Sequence, residues 1–146
     1  MSLSIREVNS RAELVDWIQF PRLKVYGADS PWVPPLDSDL RRMLDRDKNP
    51  FFRYGDAAQY VVVDESGEIR GRVLAQIYHR SNVVHKEKTS FFGYFECLDD
   101  ENAAKQLIDA CRKFGQTYGC DTLRGPFNMT AMQEMGILIE GFEMLR

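Results

Sequence analysis

Two apolar runs, Tyr60–Val63 and Val73–Ile77, flank a Gly-containing turn at Glu65–Glu68, and this is the feature that limits the fold most. Runs of that length on either side of a short turn predict an antiparallel hairpin. After a polar spacer, Arg80–Lys88, come a third apolar run, Ser90–Cys97, the stretch ENAAKQLIDACRKFGQTYG and the segment DTLRGPFN. Ala103, Ala104, Leu107, Ile108, Cys111, Phe114 and Tyr118 recur at helical spacing, with Gly119 where a terminator belongs, so a helix is expected over Asp100–Tyr118. Strand, helix and strand in that order make a crossover, which sets Ser90–Cys97 parallel to a strand around Leu123. The expected fold class is therefore α/β (α+β): a mixed, mostly antiparallel sheet flanked by helices, splaying near Cys97 and Leu123.

The residues ahead of the hairpin read as a covering layer. Ile5–Val8 alternates like an edge strand, and Ser10 with Glu13 forms a capping-box signature that starts a helix. Leu14, Trp17 and Ile18 share its buried face, Pro21 interrupts it, and Gly27 would end it in the left-handed conformation. Asp29–Pro35 carries three prolines and Trp32 and should be stiff and extended. Asp37 is placed to cap a second helix bearing Leu40, Met43 and Leu44, closed by Asn49-Pro50. Phe51 and Phe52 either fold back on the sheet or wall a substrate cleft.

A chain of 146 residues with 44% apolar side chains is expected to fold as one domain, residues 1–146, around one core. Its net charge of −3 gives no footprint for nucleic acid or an anionic membrane. Arg41, Arg42, Arg46 and Lys48 alternate with acids and read as a solvated helix face. Cys97, Cys111 and Cys120 are an odd number without metal spacing, which points to reduced thiols and a cytoplasmic protein. His79 and His85 are isolated, so surface roles are favoured over a metal site and no metal ligands are assigned.

The phrases DSPWVPPL, KNPFF, GRVLAQIYHR, FFGYFECLDD and LRGPFN, in this order of elements, resemble the GNAT-type N-acetyltransferase superfamily. More narrowly they resemble the N-terminal part of a group of longer, uncharacterised bacterial proteins assigned to it. The resemblance implies that acetyl-CoA or another acyl-CoA lies where two parallel strands splay, its pantetheine amides bonded to the main chain of the strand Ser90–Cys97. Phe95 and Cys97 would then bind the cofactor, together with Asn128 of an Asn128, Ala131, Met135, Gly141-Phe142 series that resembles the superfamily's final motif. Asn128 and Ala131 could equally form a capped turn. Gly93 marks either a bulge or close main-chain approach, or simply room among Phe91, Phe92, Tyr94 and Phe95.

Two departures matter. The superfamily holds pyrophosphate on a basic, Gly-rich turn at a helix start, whereas this chain has Cys97-Leu98-Asp99-Asp100-Glu101 there. A carboxylate about 6 Å from a phosphate charge repels it by about 3 kcal/mol at an effective dielectric near 20, against about 0.3–1 kcal/mol from the helix end. The tyrosine that would protonate the leaving thiolate is Met135, which has no proton to give. Glu96 is the candidate catalytic base, with a carboxyl between Phe95 and Cys97 whose pKa burial could raise; the alternative is a solvent-facing strand residue.

The functions in view are an acyl-CoA-dependent acyltransferase acting on a small amine, a catalytically inactive binding or scaffolding domain of the same fold, and a small-molecule sensor with an aromatic cleft of Phe51, Phe52, Phe91 and Tyr94. The apolar segment Gly136–Phe142 precedes Arg146 with no room for strands that would close such a sheet. The chain is therefore expected to be an incomplete module that pairs with further polypeptide or forms a homodimer.

Overall fold

The computed structural model describes residues 2–130 and 134–144. Its elements, in order, are β1 (Ser4–Glu7), α1 (Arg11–Phe20), a π-helical turn (Pro21–Val25), α2 (Asp37–Leu44), a 3-10 turn (Pro50–Arg53), β2 (Gly55–Val63), β3 (Ile69–Tyr78), α3 (His79–His85), β4 (Thr89–Cys97), α4 (Glu101–Thr117) and β5 (Thr122–Arg124). The strands form one sheet in the order β1-β2-β3-β4-β5. The first three pairings are antiparallel and β4 with β5 is parallel, so the sheet is mixed and mostly antiparallel, as the sequence implies.

Alternation along the strands divides the core between the two faces. Val61, Val63 and Leu74 meet Trp17, Ile18, Leu40 and Leu44 of α1 and α2. Val62, Val73, Ala75 and Ile77 meet Ala103, Leu107, Cys111 and Phe114 of α4. β3 is thus covered on both sides, which explains its near-continuous apolar run. Two polar residues in it, Arg72 and Gln76, are nevertheless 4% and 1% exposed.

The helix starts follow the capping rules with local changes. Ser10 Oγ accepts from the Glu13 N–H at 3.1 Å, but the Glu13 carboxylate reaches the N–H of Asn9 instead of Ser10. Asp37 is the first residue of α2 and not its cap, because Leu36 holds the extended cap position and no side chain bonds there. Gly27 does not end the first helical segment in the left-handed region; the π turn closes at Tyr26, whose N–H bonds Pro21 O at 2.8 Å. The spacer after β3 is not a plain loop, since six of its residues, with His79 before them, form α3. α4 is capped by Asp100, whose Oδ1 accepts from the Ala103 N–H at 3.1 Å, and it gives way to Gly119 at φ +77°.

Phe51 and Phe52 fold onto the sheet and do not wall a cleft. Asn49 Oδ1 accepts from the Phe51 N–H at 3.0 Å, fixing a turn that lays Phe51 on Tyr78 at a ring separation of 5.5 Å. Among the described residues, no helix is long and apolar enough to cross a membrane.

Candidate functional site

The site grows from a break in β4. Phe92, Phe95 and Cys97 all pack on the α4 side, and a step of three between the first two means an extra residue is accommodated there. That residue is Tyr94, at φ +49°, where the register with β3 also slips. A bulky side chain in the left-handed region is strained by about 1–2 kcal/mol and persists only when neighbours hold it. Asn128 Oδ1 accepts from the Tyr94 N–H at 2.6 Å, and Arg72 Nε donates to the Tyr94 carbonyl at 3.2 Å. Both main-chain groups of the strained residue are therefore held by side chains.

Beyond the bulge the two parallel strands part. Pairing of β4 with β5 ends at Phe91 and Arg124, and the Phe127 N–H reaches Phe92 O at 2.8 Å before the chain turns away. Leu98 N–H bonds Arg70 O, so by alternation the main-chain groups of Phe95 and Cys97 point away from β3 and into the gap. Their side chains pack on the α4 side, which leaves the main chain to face the opening. Gly93 serves the close-approach role, because a Cβ there would collide with Phe127 O and sit 2.8 Å from Asn128 Oδ1. The segment after β5 is fastened again at Met129, whose N–H and C=O bond the Gln76 amide at 2.9 and 3.0 Å.

A cavity of about 500 Å³ opens at this gap on the α1/α2 side of the sheet. Glu96 lines it, which settles which face of the strand meets the cleft. Its surroundings are polar as well as aromatic, unlike the apolar setting expected between Phe95 and Cys97. Tyr26 Oη donates to its two carboxylate oxygens at 3.1 and 3.3 Å, and Arg72 lies opposite it in the β3–β4 register. Tyr26 stacks on Trp32 with ring centroids 4.4 Å apart, so the Pro-rich segment supplies a wall of the cavity. Of the aromatic cleft Phe51, Phe52, Phe91 and Tyr94, only Tyr94 lines the cavity.

Arg72 is the fixed cation of the site. Its Nη1 donates to Trp17 O at 2.9 Å and Ile18 O at 3.3 Å, and its guanidinium lies 4.4 Å from the Trp17 ring centre. In an α-helix Trp17 O would accept from residue 21, but that residue is Pro21 and has no N–H, so the arginine supplies the missing donor. Burial pushes the guanidinium down to about 10, with Glu96, Tyr94 and Tyr26 pulling the other way, and it stays charged at neutral pH. Burial also pushes the Tyr94 phenol up to about 12 and the Cys97 thiol up to about 11. Burial thus favours the neutral thiol of Cys97, which lines the cavity.

The structure brings together Glu96, Phe95, Cys97 and Asn128, all of which line the cavity. Ala131 of the expected final motif lies outside the described residues. Met135 is exposed and pairs with Phe127 in an isolated bridge, away from the lining. Sequence reasoning missed Arg72, Gln76 and Tyr26. The first two had a signal, since polar residues four apart in the doubly covered strand GRVLAQIY must be paired inside the protein.

No protein-family model matches the chain. It is 32% identical over 143 residues to Protein YghO of Escherichia coli (strain K12), covering 95% of this chain and 35% of that protein. To the bacterial ceramide synthase of Caulobacter vibrioides (strain NA1000 / CB15N) it is 28% identical over 142 residues, covering 97% and 36%. The chain spans about a third of the length of these curated relatives. Among solved structures, AAC(6')-Iy in complex with the bisubstrate analog CoA-S-monomethyl-acetylneamine superposes with a TM-score of 0.58 at 19% identity, over 96% of this chain and 97% of that one. An acetyltransferase of the GNAT family from Staphylococcus aureus Mu50 gives 0.52 at 14%, over 88% and 75%. A putative acetyl transferase from Pyrococcus furiosus gives 0.51 at 13%, over 95% and 98%. The chain has the fold of the GNAT-type N-acetyltransferase superfamily.

Proposed function

We propose that this domain is an N-acyltransferase that joins an acyl group, delivered as an acyl-CoA-type thioester, to the amine of a small molecule with an apolar tail. The observation that carries the proposal is the Glu96 carboxylate in a cavity beside the free main-chain edge of Phe95 and Cys97. Among the described residues, Asp39, Glu96 and Glu134 line that cavity against one cation, Arg72, a balance suited to an ammonium group. Val25, Leu40, Met43, Ile137 and Leu138 supply an apolar wall for a tail. The relative named a bacterial ceramide synthase fits this class, because a ceramide is an amide of a long-chain amine.

An acyl thioester supplies the activated carbonyl carbon. Phe95 and Cys97 offer main-chain groups to the pantetheine arm, Tyr26 orients Glu96 by its hydrogen bonds, and Arg72 stands opposite Glu96 on β3. Glu96 receives the ammonium and takes one proton from it, which frees the nitrogen lone pair. The amine then attacks the thioester carbonyl carbon, the C–N bond forms as the C–S bond breaks, and the second nitrogen proton leaves with the departing thiolate as free thiol. The nucleotide half of an acyl-CoA finds no counterpart among these residues, since the first turn of α4 is capped by Asp100 and flanked by Asp99 and Glu101.

The test is mass-spectrometric detection of amide formed from an acyl thioester and a panel of amines running from ethanolamine to long-chain amino alcohols. Amide is expected above the uncatalysed background, rising with tail length. No amide with any member of the panel, from a folded protein, would defeat the proposal.

A further inference from the structure

Among the described residues, the donor side of the cavity offers no basic or glycine-rich turn to a phosphate. Its lining on β4 stops at Cys97 and takes nothing from residues 98–101. Among the described lining residues one side chain is basic, Arg72, and its Nε and Nη1 are engaged by the carbonyls of Tyr94, Trp17 and Ile18. Three carboxylates, Asp39, Glu96 and Glu134, share the lining with it. Further along the chain, the α4 N-terminus has given its Ala103 N–H to Asp100, while Asp99 and Glu101 stand exposed on either side. Arg70, whose carbonyl pairs with the Leu98 N–H, and Lys24, which pairs with Glu68 at 3.3 Å, are basic residues near this end of β3, and Asp99, Asp100 and Glu101 follow Leu98 in the chain.

The uncharged part of such a donor is treated differently. Among the described residues, no strand pairs with the outer main-chain edge of Phe95 and Cys97, and Gly93 and the Tyr94 bulge set the gap beside it. Unpaired strand groups of this kind bind an extended amide chain, which is what a pantetheine arm is. Resting on the acyl-transfer reading, we infer that the site recognises its donor by the acyl group and the uncharged pantetheine arm, and leaves any nucleotide or phosphate in solvent. The ligand class is an acyl thioester of pantetheine, whatever carries its far end.

The experiment is calorimetric titration with two non-reacting thioethers, S-octyl-pantetheine and S-octyl-CoA, at roughly 0.02 and 0.2 M salt. The pantetheine thioether is expected to bind at least as tightly as the CoA thioether, to within about threefold, and added salt should leave the CoA affinity unchanged or raise it. The Asp99→Asn/Glu101→Gln double variant, which spares the Asp100 cap, should tighten the CoA thioether by about threefold or more and leave the pantetheine thioether unmoved. A CoA thioether that binds about tenfold tighter than the pantetheine thioether, and weakens with salt, would overturn the inference alone. Binding of neither would overturn both the acyl-transfer reading and this inference. Equal binding from a protein that forms no amide would uphold the inference while defeating the catalytic reading.

Discussion

Replacing Arg72 with methionine is expected to destabilise the fold by about 3 kcal/mol, seen in denaturant unfolding as a lower midpoint with an unchanged slope. The guanidinium donates to three main-chain carbonyls, of Tyr94, Trp17 and Ile18, and it is almost wholly buried. A buried acceptor left without a partner costs about 1–3 kcal/mol. Part of that loss is offset, because a methionine of similar length does not have to be stripped of water as a charge does. The offset cannot be complete, since Pro21 leaves Trp17 O without its helical donor and Tyr94 depends on the arginine to stay at φ +49°. Arg72→Lys should fall between wild type and Arg72→Met, keeping the charge but not the fork that spans α1 and β4. A loss under about 1 kcal/mol in Arg72→Met would show that the bulge and the kinked helix hold themselves.

Glu96→Gln is expected to lower the turnover of amide formation by roughly 10²–10⁴-fold while the fold keeps its stability to within about 1 kcal/mol. The substitution preserves shape and an oxygen to accept from Tyr26, so a change in rate reports the lost proton acceptor and the lost charge. The Michaelis constant for the amine should rise as well, because the cavity loses one of three carboxylates that favour an ammonium. Tyr26→Phe removes only the group that orients Glu96 and should cost far less. Unchanged turnover in Glu96→Gln would remove Glu96 as the base.

The parts of this fold that show in the sequence are those governed by local periodicity. The hairpin of β2 and β3 shows because both strands are apolar on both faces around a Gly-containing turn, and α4 shows because its stripe and both caps lie within a few turns of one another. β2 begins five residues earlier than its apolar run, since Gly55 to Gln59 pair with β3 without an apolar pattern. The site is a different matter. Glu96 is visible as the acid inside a strand, but the face it uses depends on the bulge at Tyr94, and only the step from Phe92 to Phe95 hints at one. Its partner Tyr26 lies 70 residues away in the chain, and Arg72 joins Trp17 across 55. Contacts at such separations follow from packing and leave no period to read. Gly93 shows the middle case: its rarity in a strand flags a special position, and the position of Phe127 decides what the flag means.

On the acyl-transfer reading proposed above, the gap between β4 and β5 is the donor site. Amide NMR of the labelled protein during titration with S-octyl-pantetheine tests it most directly, because the ligand is placed on the main-chain edge of Phe95 and Cys97. The largest shifts are expected at Phe95, Glu96, Cys97 and the Asn128 side-chain amide, with α3 and the turn Asp64–Glu68 unmoved. Saturable shifts centred anywhere else, with those of Phe95 and Cys97 unchanged, would contradict it.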